Sequence, residues 1–178
     1  MQNYKISVII CSYNRAKILS YCLDSVLQEQ TADSSIYEVL LIDNNSHDQT
    51  SALATKYKQK YHNFKYIFES KQGLSHARNK GCYEARSDWL FYLDDDGKAY
   101  SNTIEKALWV INNYNFHCFG GIYKAWWLFG KPEWLSDNFG TKRKELKKTG
   151  LLTPQNALAT GYNSGGVIVF NKQALLDI

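Results

Sequence analysis

Trp-Leu-Phe-Tyr-Leu-Asp-Asp-Asp-Gly, at Trp89–Gly97, is the stretch of sequence that decides the fold. Its first five residues are large and apolar and do not alternate with polar ones, which is typical of a strand buried on both faces of a sheet. Because a buried strand excludes unpaired charge, Asp94, Asp95 and Asp96 must lie where the strand leaves the core. In open α/β sheets, ligands bind at this carboxyl edge. The stretch therefore predicts a ligand site directly after a central strand.

The three adjacent carboxylates of this stretch repel one another, because neutral pH keeps aspartates ionised unless their surroundings intervene. A divalent cation relieves the repulsion, and oxygen ligands favour Mg²⁺ or Mn²⁺. Mg²⁺ commonly binds one or two carboxylates together with the phosphates of a substrate. The alternative is an acidic surface turn that binds nothing.

Strand and helix patterns alternate along the first two thirds of the chain. The β-branched run Lys5–Ser12 predicts the first strand, and apolar residues at helical spacing predict a helix over Ala16–Gln30. Further strands are predicted at Tyr37–Ile42, Phe64–Phe68, Trp89–Leu93 and Cys118–Tyr123, and further helices at Gln49–Tyr61, Gly73–Ala85 and Asn102–Asn113. Helices between strands make crossover connections, which give parallel pairing. The predicted class is α/β with a Rossmann-like sheet.

The pattern changes after the predicted fifth strand. The basic run Lys142–Lys148 is either a solvated face or a contact with a substrate phosphate or an anionic membrane surface. A glycine-rich turn at Gly161–Gly166 precedes a predicted strand, Val167–Phe170, and a helix that begins near Lys172. Three tryptophans in this part either stack on a ligand ring or pack within the protein; they are Trp126, Trp127 and Trp134.

Composition bounds the class of protein. The chain has 178 residues, of which 44% are hydrophobic and 21% charged, which is enough for one globular core. The net charge of +4 suits a polyanionic ligand or an anionic membrane surface but is too small to indicate nucleic acid, which we do not expect as a partner. The four cysteines show no metal or redox spacing, and no signal peptide or long apolar run is present. We therefore expect a cytoplasmic protein, with contact at the inner face of the membrane as an open possibility.

Polar residues recur where the predicted strands end. Ser12–Arg15, Asp43–Asp48, Gly73–Asn79 and Asp94–Asp96 each follow a strand or begin the helix after one. Since the carboxyl ends of parallel strands share one edge, we expect these loops to converge although they are distant in sequence.

Two residues in these loops have more than one interpretation. Asp43 either accepts hydrogen bonds from a base ring or ribose, or caps a helix. Arg78 pairs with a phosphate or with Asp43, or forms a structural salt bridge.

Four motifs in this order closely resemble the family 2 glycosyltransferases of the GT-A fold; they are Ser7–Arg15, Glu38–Asp48, Gly73–Gly81 and Leu93–Asp96. The resemblance spans about Lys5–Gly121, and a weaker match returns at Gly161–Lys172. It implies a mixed, mostly parallel sheet flanked by helices. It also implies one GT-A catalytic domain over residues 1–178, with a nucleotide-binding half at 1–121 and an incomplete acceptor half at 122–178.

The resemblance assigns roles residue by residue. It implies nucleotide-binding roles for Ser12, Tyr13, Arg15, Asp43, Asn45, Arg78, Asp94 and Asp95. In the family's Asp-x-Asp motif, Asp94 matches the carboxylate facing the ribose and metal shell, and Asp96 matches the direct metal ligand. Asp95 takes the middle position, which is near the ribose. The implied cofactor is Mg²⁺ or Mn²⁺.

The implied reaction is the metal-dependent transfer of a sugar, with inversion, from a nucleoside-diphosphate sugar to an acceptor hydroxyl. The favoured donor is a UDP-sugar, and the acceptor is a glycan or a lipid-linked molecule. Such a displacement needs a general base, which the family carries in a segment expected beyond Ile178. Asp177 and Glu133 are the nearest remaining carboxylates, and neither is assigned. We therefore expect a domain truncated at its C-terminus that binds nucleotide with little or no transfer.

Three other functions compete with this interpretation. A nucleotidyltransferase shares the nucleotide half and the metal carboxylates. A nucleotide-sugar-binding module without catalysis is favoured by the missing base. A phosphatase with an Asp-x-Asp nucleophile is disfavoured, because that motif belongs near the first strand and here lies in mid-chain.

Overall fold

The computed structural model describes residues 4–121, 125–128, 130–136 and 167–177. Within these ranges the strands are β1 (Ile6–Ser12), β2 (Tyr37–Asp43), β3 (Phe64–Phe68), β4 (Trp89–Leu93), β5 (Cys118–Gly120) and β6 (Val167–Asn171). The helices are α1 (Ala16–Leu27), α2 (Thr50–Lys60), α3 (Leu74–Glu84), α4 (Thr103–Asn113) and α5 (Lys172–Leu176). None of the described helices is both long enough and apolar enough to span a bilayer.

The described strands form one sheet in the order β3-β2-β1-β4-β6-β5. The first four in this order run parallel, while β6 runs antiparallel to both β4 and β5. Ser12 is level with Asp43, and Asp43 is level with Phe68, so three strands end at the same height. The predicted α/β class with a mixed, mostly parallel sheet flanked by helices is confirmed.

Both faces of the sheet are covered, which explains why the strands show no polar alternation. One apolar cluster joins one face of the sheet to α1, α2 and α4, and a second joins the other face to α3. Every residue of β2 is buried, and in β4 the residues from Leu90 to Leu93 are at most 6% exposed. The prediction that β4 is buried on both faces is therefore confirmed.

A charged group is buried at the amino edge of the sheet, where β2 begins. Glu38 is fully buried and accepts hydrogen bonds from Ser7 Oγ at 2.7 Å, Arg86 N at 2.7 Å and Arg86 Nε at 2.8 Å. The Arg86 guanidinium also lies 4.6 Å from the centre of the Tyr4 ring. Because each carboxylate oxygen has a donor, this buried charge is compensated.

The predicted end of α1 is wrong, and the Gln30 side chain near that end also contacts the start of α4. Helix α1 ends at Leu27, before the predicted Gln30, because the Gln30 side chain donates to Ser25 O at 2.7 Å and to Tyr100 O at 2.8 Å. At the start of α4, the side chain of Asn102 makes no capping hydrogen bond. Gln30 Oε1 instead accepts from Ile104 N at 3.1 Å.

Several other predicted features fall partly or wholly outside the described residues. The fifth strand ends at Gly120 in the structure, before the predicted end; Gly121 lies after the strand, and residues 122–123 of the prediction are outside the described ranges. The glycine-rich turn Gly161–Gly166 and the basic run Lys142–Lys148 are also outside them. The strand and helix predicted on either side of Lys172 are confirmed as β6 and α5.

We predict that Gly81→Ala destabilises the fold although alanine favours helices. Gly81 lies in α3 against the sheet, and a Cβ there would press into Ile9 Cγ2 and touch Ile42 Cγ1 at 3.4 Å. Helix propensity gains about 1 kcal/mol, whereas overpacking costs about 1–3 kcal/mol. We expect a net loss of about 1 kcal/mol in the free energy of unfolding, measured by urea denaturation.

The control for this prediction is Lys80→Ala, at the neighbouring, more exposed position. Its one described ion pair is with Glu84 at 3.3 Å, which contributes about 0.5 kcal/mol or less. A Gly81→Ala protein as stable as the wild type would contradict the close packing of α3 on β1.

Candidate functional site

The loop after β1 and the loop after β2 are joined by hydrogen bonds at the carboxyl edge of the sheet. Asn14 N donates to Ser46 Oγ at 3.0 Å, and His47 N donates to Asn14 Oδ1 at 2.8 Å. Asn14 and Asn45 both have positive φ angles, of 54° and 65°. Asparagine tolerates this left-handed conformation better than most residues, which explains its place in both turns.

The loop after β3 joins the same edge through Asn44. Asn44 Nδ2 donates to Lys71 O at 2.8 Å, and Asn44 Oδ1 accepts from Gly73 N at 2.7 Å. Gly73 has a φ of 138°, which only glycine adopts without strain, and it begins the turn into α3. The loops after β1, β2 and β3 therefore form one connected rim.

Asp43 shapes this rim from inside. It is 1% exposed, its Oδ1 accepts from Ser46 N at 2.9 Å, and its Oδ2 accepts from Tyr66 Oη at 2.7 Å. Burial, together with the hydrogen bond to Asp43, raises the pKa of Tyr66 to about 12. A nucleotide base would have to share the Asp43 oxygens with these two donors. Sequence reasoning did not single out Tyr66, because the pairing of β2 with β3 is needed to place it beside Asp43.

The helix-capping alternative for Asp43 belongs instead to Asp48. Asp48 Oδ2 accepts from Ala16 N at 2.9 Å, at the start of α1. Its Oδ1 accepts from Thr50 N at 3.0 Å and from Thr50 Oγ1 at 2.6 Å, at the start of α2. One carboxylate thus satisfies backbone donors at two helix N-termini.

The three carboxylates after β4 point in different directions. Asp95 is 9% exposed and turns inward, where its Oδ2 accepts from Ser12 Oγ at 2.7 Å. The side chains of Asp94 and Asp96 are 46% and 55% exposed. Burial raises the pKa of Asp95 above its ordinary value, although the Ser12 hydrogen bond and Arg15 oppose the shift. The loop therefore offers two carboxylates to solvent and keeps one inside.

Two arginines face these carboxylates. Arg15 Nη1 lies 2.7 Å from Asp96 Oδ2 and 3.7 Å from Asp95 Oδ1. Arg78 Nη2 lies 3.7 Å from Asp94 Oδ1, so its ion pair is with Asp94 rather than with Asp43. Burial raises the pKa of Asp94, and Arg78 opposes that shift. The rim thus combines three carboxylates with two guanidinium groups.

The described residues do not form a metal cage by themselves. No group of three or more His, Cys, Asp or Glu side chains among them is arranged to hold an ion. The two solvent-facing carboxylates, Asp94 and Asp96, nevertheless fit a cation that takes few protein ligands and completes its shell with water and phosphate. The donor set therefore suits Mg²⁺ or Mn²⁺ bound together with a phosphate ligand.

The remaining predicted nucleotide contacts differ in their exposure. Tyr13 is 41% exposed, while Ser12 is 3% exposed and its hydroxyl is bonded to Asp95. Asn45 is half-buried in the turn after β2. The structure thus brings Ser12, Tyr13 and Asn45 to the same edge as the carboxylates, with Tyr13 the most open to a ligand.

The tryptophans have different environments. Trp126 is 40% exposed and packs edge-to-face on Tyr21 of α1, with ring centres 5.5 Å apart. Trp134 is 82% exposed, and Trp127 is half-buried. Stacking of these rings on a sugar stays a prediction.

Comparisons with known proteins agree on one family. Residues 7–178 match the family model described as glycosyl transferase family 2. A GalNAc(5)-diNAcBac-PP-undecaprenol beta-1,3-glucosyltransferase of Campylobacter jejuni is 27% identical over 173 residues, covering 96% of this chain and 53% of that protein. The chain spans between 28% and 53% of the length of the first three curated relatives it matches.

Solved structures support the same fold. S. aureus TarS 1–349 in complex with UDP has a TM-score of 0.76 and 23% identity, with 97% of this chain and 48% of that chain covered. The mannosyltransferase PcManGT from Pyrobaculum calidifontis, in complex with GDP-Man and Mn²⁺, has a TM-score of 0.68 and 15% identity, with 97% and 46% covered. At these identities the likeness shows the fold alone.

We predict a pH-dependent loss of stability for Asp48→Ala. Burial alone would raise the pKa of Asp48, but hydrogen bonds from Thr50 and Ala16 outweigh it and hold the pKa below the ordinary 3.8. A carboxyl group whose pKa is lowered by folding stabilises the folded state fully at pH values above its unfolded pKa. This stabilisation is lost as the pH falls through the folded pKa. At pH 7 we expect a loss of about 1 kcal/mol, typical of a lost helix cap.

Urea denaturation at pH 7 and near pH 3 measures this effect, because the difference between variant and wild type should shrink at the lower pH. Asp88→Ala, at an exposed aspartate before β4, is the matched control and should change little at either pH. An equal loss at both pH values would show that the Asp48 charge does not stabilise the helix ends.

Proposed function

The chain belongs to glycosyl transferase family 2, and from this premise we propose that it is a metal-dependent, inverting glycosyltransferase. It transfers a sugar from a nucleoside-diphosphate sugar to a hydroxyl of a glycan or lipid-linked acceptor. The favoured donor is a UDP-sugar. The observation that carries the proposal is the meeting of the carboxylates after β4 with Arg15 and Arg78 at one rim of the sheet.

The donor nucleotide lies along this rim in the proposal. Ser12, Tyr13 and Asp43 surround the base, Asn45 supports the turn beside it, and Asp94 and Asp95 lie near the ribose. Arg15 and Arg78 are within reach of the diphosphate, where guanidinium groups bind phosphate oxygens well. The binding of UDP by TarS, which shares the fold, supports this assignment. Residues 1–121 form the nucleotide-binding half, and 122–178 contribute to the acceptor half.

Asp96 and Asp94 hold the cation in this proposal, as Mn²⁺ or Mg²⁺. Their side chains are 55% and 46% exposed, which leaves room for an ion whose coordination shell is completed by phosphate oxygens. When bound, the ion stabilises the negative charge that develops on the leaving diphosphate. The Mn²⁺ and GDP-Man complex of PcManGT supports the use of a divalent ion in this fold.

The reaction is a direct displacement. The acceptor oxygen forms a bond to the anomeric carbon as the bond from that carbon to the diphosphate oxygen breaks, and the nucleoside diphosphate leaves from the opposite face. A general base takes the proton of the acceptor hydroxyl. Asp177 is a poor candidate, because α5 starts beside Asp88 at the opposite edge of the sheet and Asp177 Oδ1 already accepts from Gln173 Nε2 at 2.7 Å. We assign no residue to this role.

The acceptor is proposed only as a class. The Campylobacter jejuni relative is named for an undecaprenol-linked substrate, which favours a lipid-linked acceptor at the inner face of a membrane. The basic run Lys142–Lys148 supplies the charge for contact with such a surface.

Calorimetry with UDP, with and without Mn²⁺, tests the donor site. We predict that Mn²⁺ tightens UDP binding and that Asp96→Ala removes the metal-dependent part of the affinity while leaving some metal-independent binding. Asp88→Ala, at the other end of β4, is the matched control and should bind UDP and Mn²⁺ as the wild type does. Equal Mn²⁺ dependence in Asp96→Ala and the wild type would contradict the metal assignment.

Product analysis separates the proposal from its rivals. Incubation with UDP-sugar and with a nucleoside triphosphate plus sugar phosphate distinguishes released UDP from released pyrophosphate. Pyrophosphate would favour a nucleotidyltransferase. Tight UDP-sugar binding with neither product would favour a binding module.

A further inference from the structure

The ion pair between Arg15 and Asp96 lies at the surface. The side chains of Arg15 and Asp96 are 47% and 55% exposed, and the contact is a single Nη1 to Oδ2 hydrogen bond of 2.7 Å. Exposed pairs of this kind contribute little to stability, so this one can open at little cost. The pair is therefore better suited to exchange partners than to hold the fold together.

The Arg15 backbone is held by hydrogen bonds, whereas its side chain is exposed. Arg15 precedes α1, and its carbonyl oxygen accepts hydrogen bonds from Ile18 N at 3.1 Å and Leu19 N at 3.0 Å. Its guanidinium also lies 3.7 Å from Asp95 Oδ1, so it spans two of the three carboxylates. A change of partner thus requires rotation of one long side chain and no movement of the backbone.

Arg15 and a divalent cation would compete at Asp96. Arg15 Nη1 already occupies Asp96 Oδ2 at 2.7 Å. A cation on the same carboxylate would place a second positive charge close to the guanidinium, and like charges at short range repel. Binding of the cation would therefore favour release of the Arg15 side chain from Asp96.

The expelled side chain has a new partner when a diphosphate is present. In the proposed donor site the diphosphate completes the coordination of a cation held at Asp96, so its oxygens would lie near the side chain that Asp96 now pairs with. Arginine binds phosphate through charge-assisted hydrogen bonds that are stronger than an exposed carboxylate pair. The cation and the diphosphate thus each favour the same rotation of Arg15.

We propose that Arg15 is a positioning residue that couples the two ligands: it pairs with Asp96, is displaced from it by the cation, and then binds the diphosphate. This inference rests on the proposed function. It predicts that Arg15 weakens the binding of the cation alone and strengthens the joint binding of cation and nucleotide. By linkage, the factor by which UDP tightens Mn²⁺ equals the factor by which Mn²⁺ tightens UDP.

The test measures free Mn²⁺ by electron paramagnetic resonance, with and without UDP. For Arg15→Gln we expect Mn²⁺ alone to bind about two- to fivefold more tightly, the range for loss of an exposed ion pair. We expect the coupling factor between Mn²⁺ and UDP to fall by a similar amount or more. Arg15→Lys, which keeps the charge but not the planar fork, should lie between the two proteins in both quantities.

Lys17→Gln is the matched control, because it removes the same charge from an exposed position two residues further along the chain, in the first turn of α1. It should leave the coupling factor unchanged. If Lys17→Gln tightens Mn²⁺ as much as Arg15→Gln does, the effect is one of net charge and the inference is wrong. Unchanged Mn²⁺ affinity and coupling in both Arg15 variants would also overturn it.

The two proposals fail in different ways. If the wild type binds neither Mn²⁺ nor UDP, the proposed function is wrong and the role of Arg15 fails with it. If the wild type binds both cooperatively and the Arg15 variants behave like the wild type, only the role of Arg15 fails. Circular dichroism confirms that each variant is folded, and Arg15→Lys supplies the result if Arg15→Gln is not.

Discussion

A strand buried on both faces can release its charged residues only at its end, and the rest of the site depends on this constraint. Leu90–Leu93 fill the centre of the sheet, so Asp94–Asp96 emerge together at its carboxyl edge. There the hydrogen bond between Ser12 Oγ and Asp95 Oδ2, at 2.7 Å, ties the end of β4 to the end of β1. With the middle carboxylate held inside, the outer two are left at the surface, where Arg15 and Arg78 meet them.

The same edge is built from polar side chains that satisfy one another. Asn14, Asn44 and Asp48 connect loops that are far apart in sequence, and each does so through backbone donors of a neighbouring loop. These contacts fix the backbone of the rim, whereas the Arg15 side chain is exposed, the Arg78 side chain is half-buried, and the described ion pairs of both are with surface carboxylates or at 3.7 Å. The division is useful for a binding site, because a rigid frame positions side chains that can exchange partners with a ligand.

The fold was largely predictable from sequence, and the site was predictable in its location but not in its internal contacts. Non-alternating apolar strands between amphipathic helices fix a parallel sheet, and the sheet then brings the loops to one edge. The partners of Asp43 and Arg78 depend on side-chain directions, which periodicity does not predict. In the structure Asp43 accepts from Tyr66, and Arg78 pairs with Asp94. The capping of α4 by Gln30 and the burial of Glu38 were missed for the same reason, since each depends on a residue distant in sequence.

The most direct test of the central claim is to locate the cation by nuclear magnetic resonance. Mn²⁺ added with UDP to ¹⁵N-labelled protein broadens the amide signals closest to the ion. If the ion and the nucleotide lie across the carboxyl edge, the signals of Asp94–Asp96 and Ser12–Arg15 should disappear first, and those of Gly73–Arg78 should weaken next. Early loss of signals around Asp88 and Lys172, at the opposite edge of the sheet, would contradict the account.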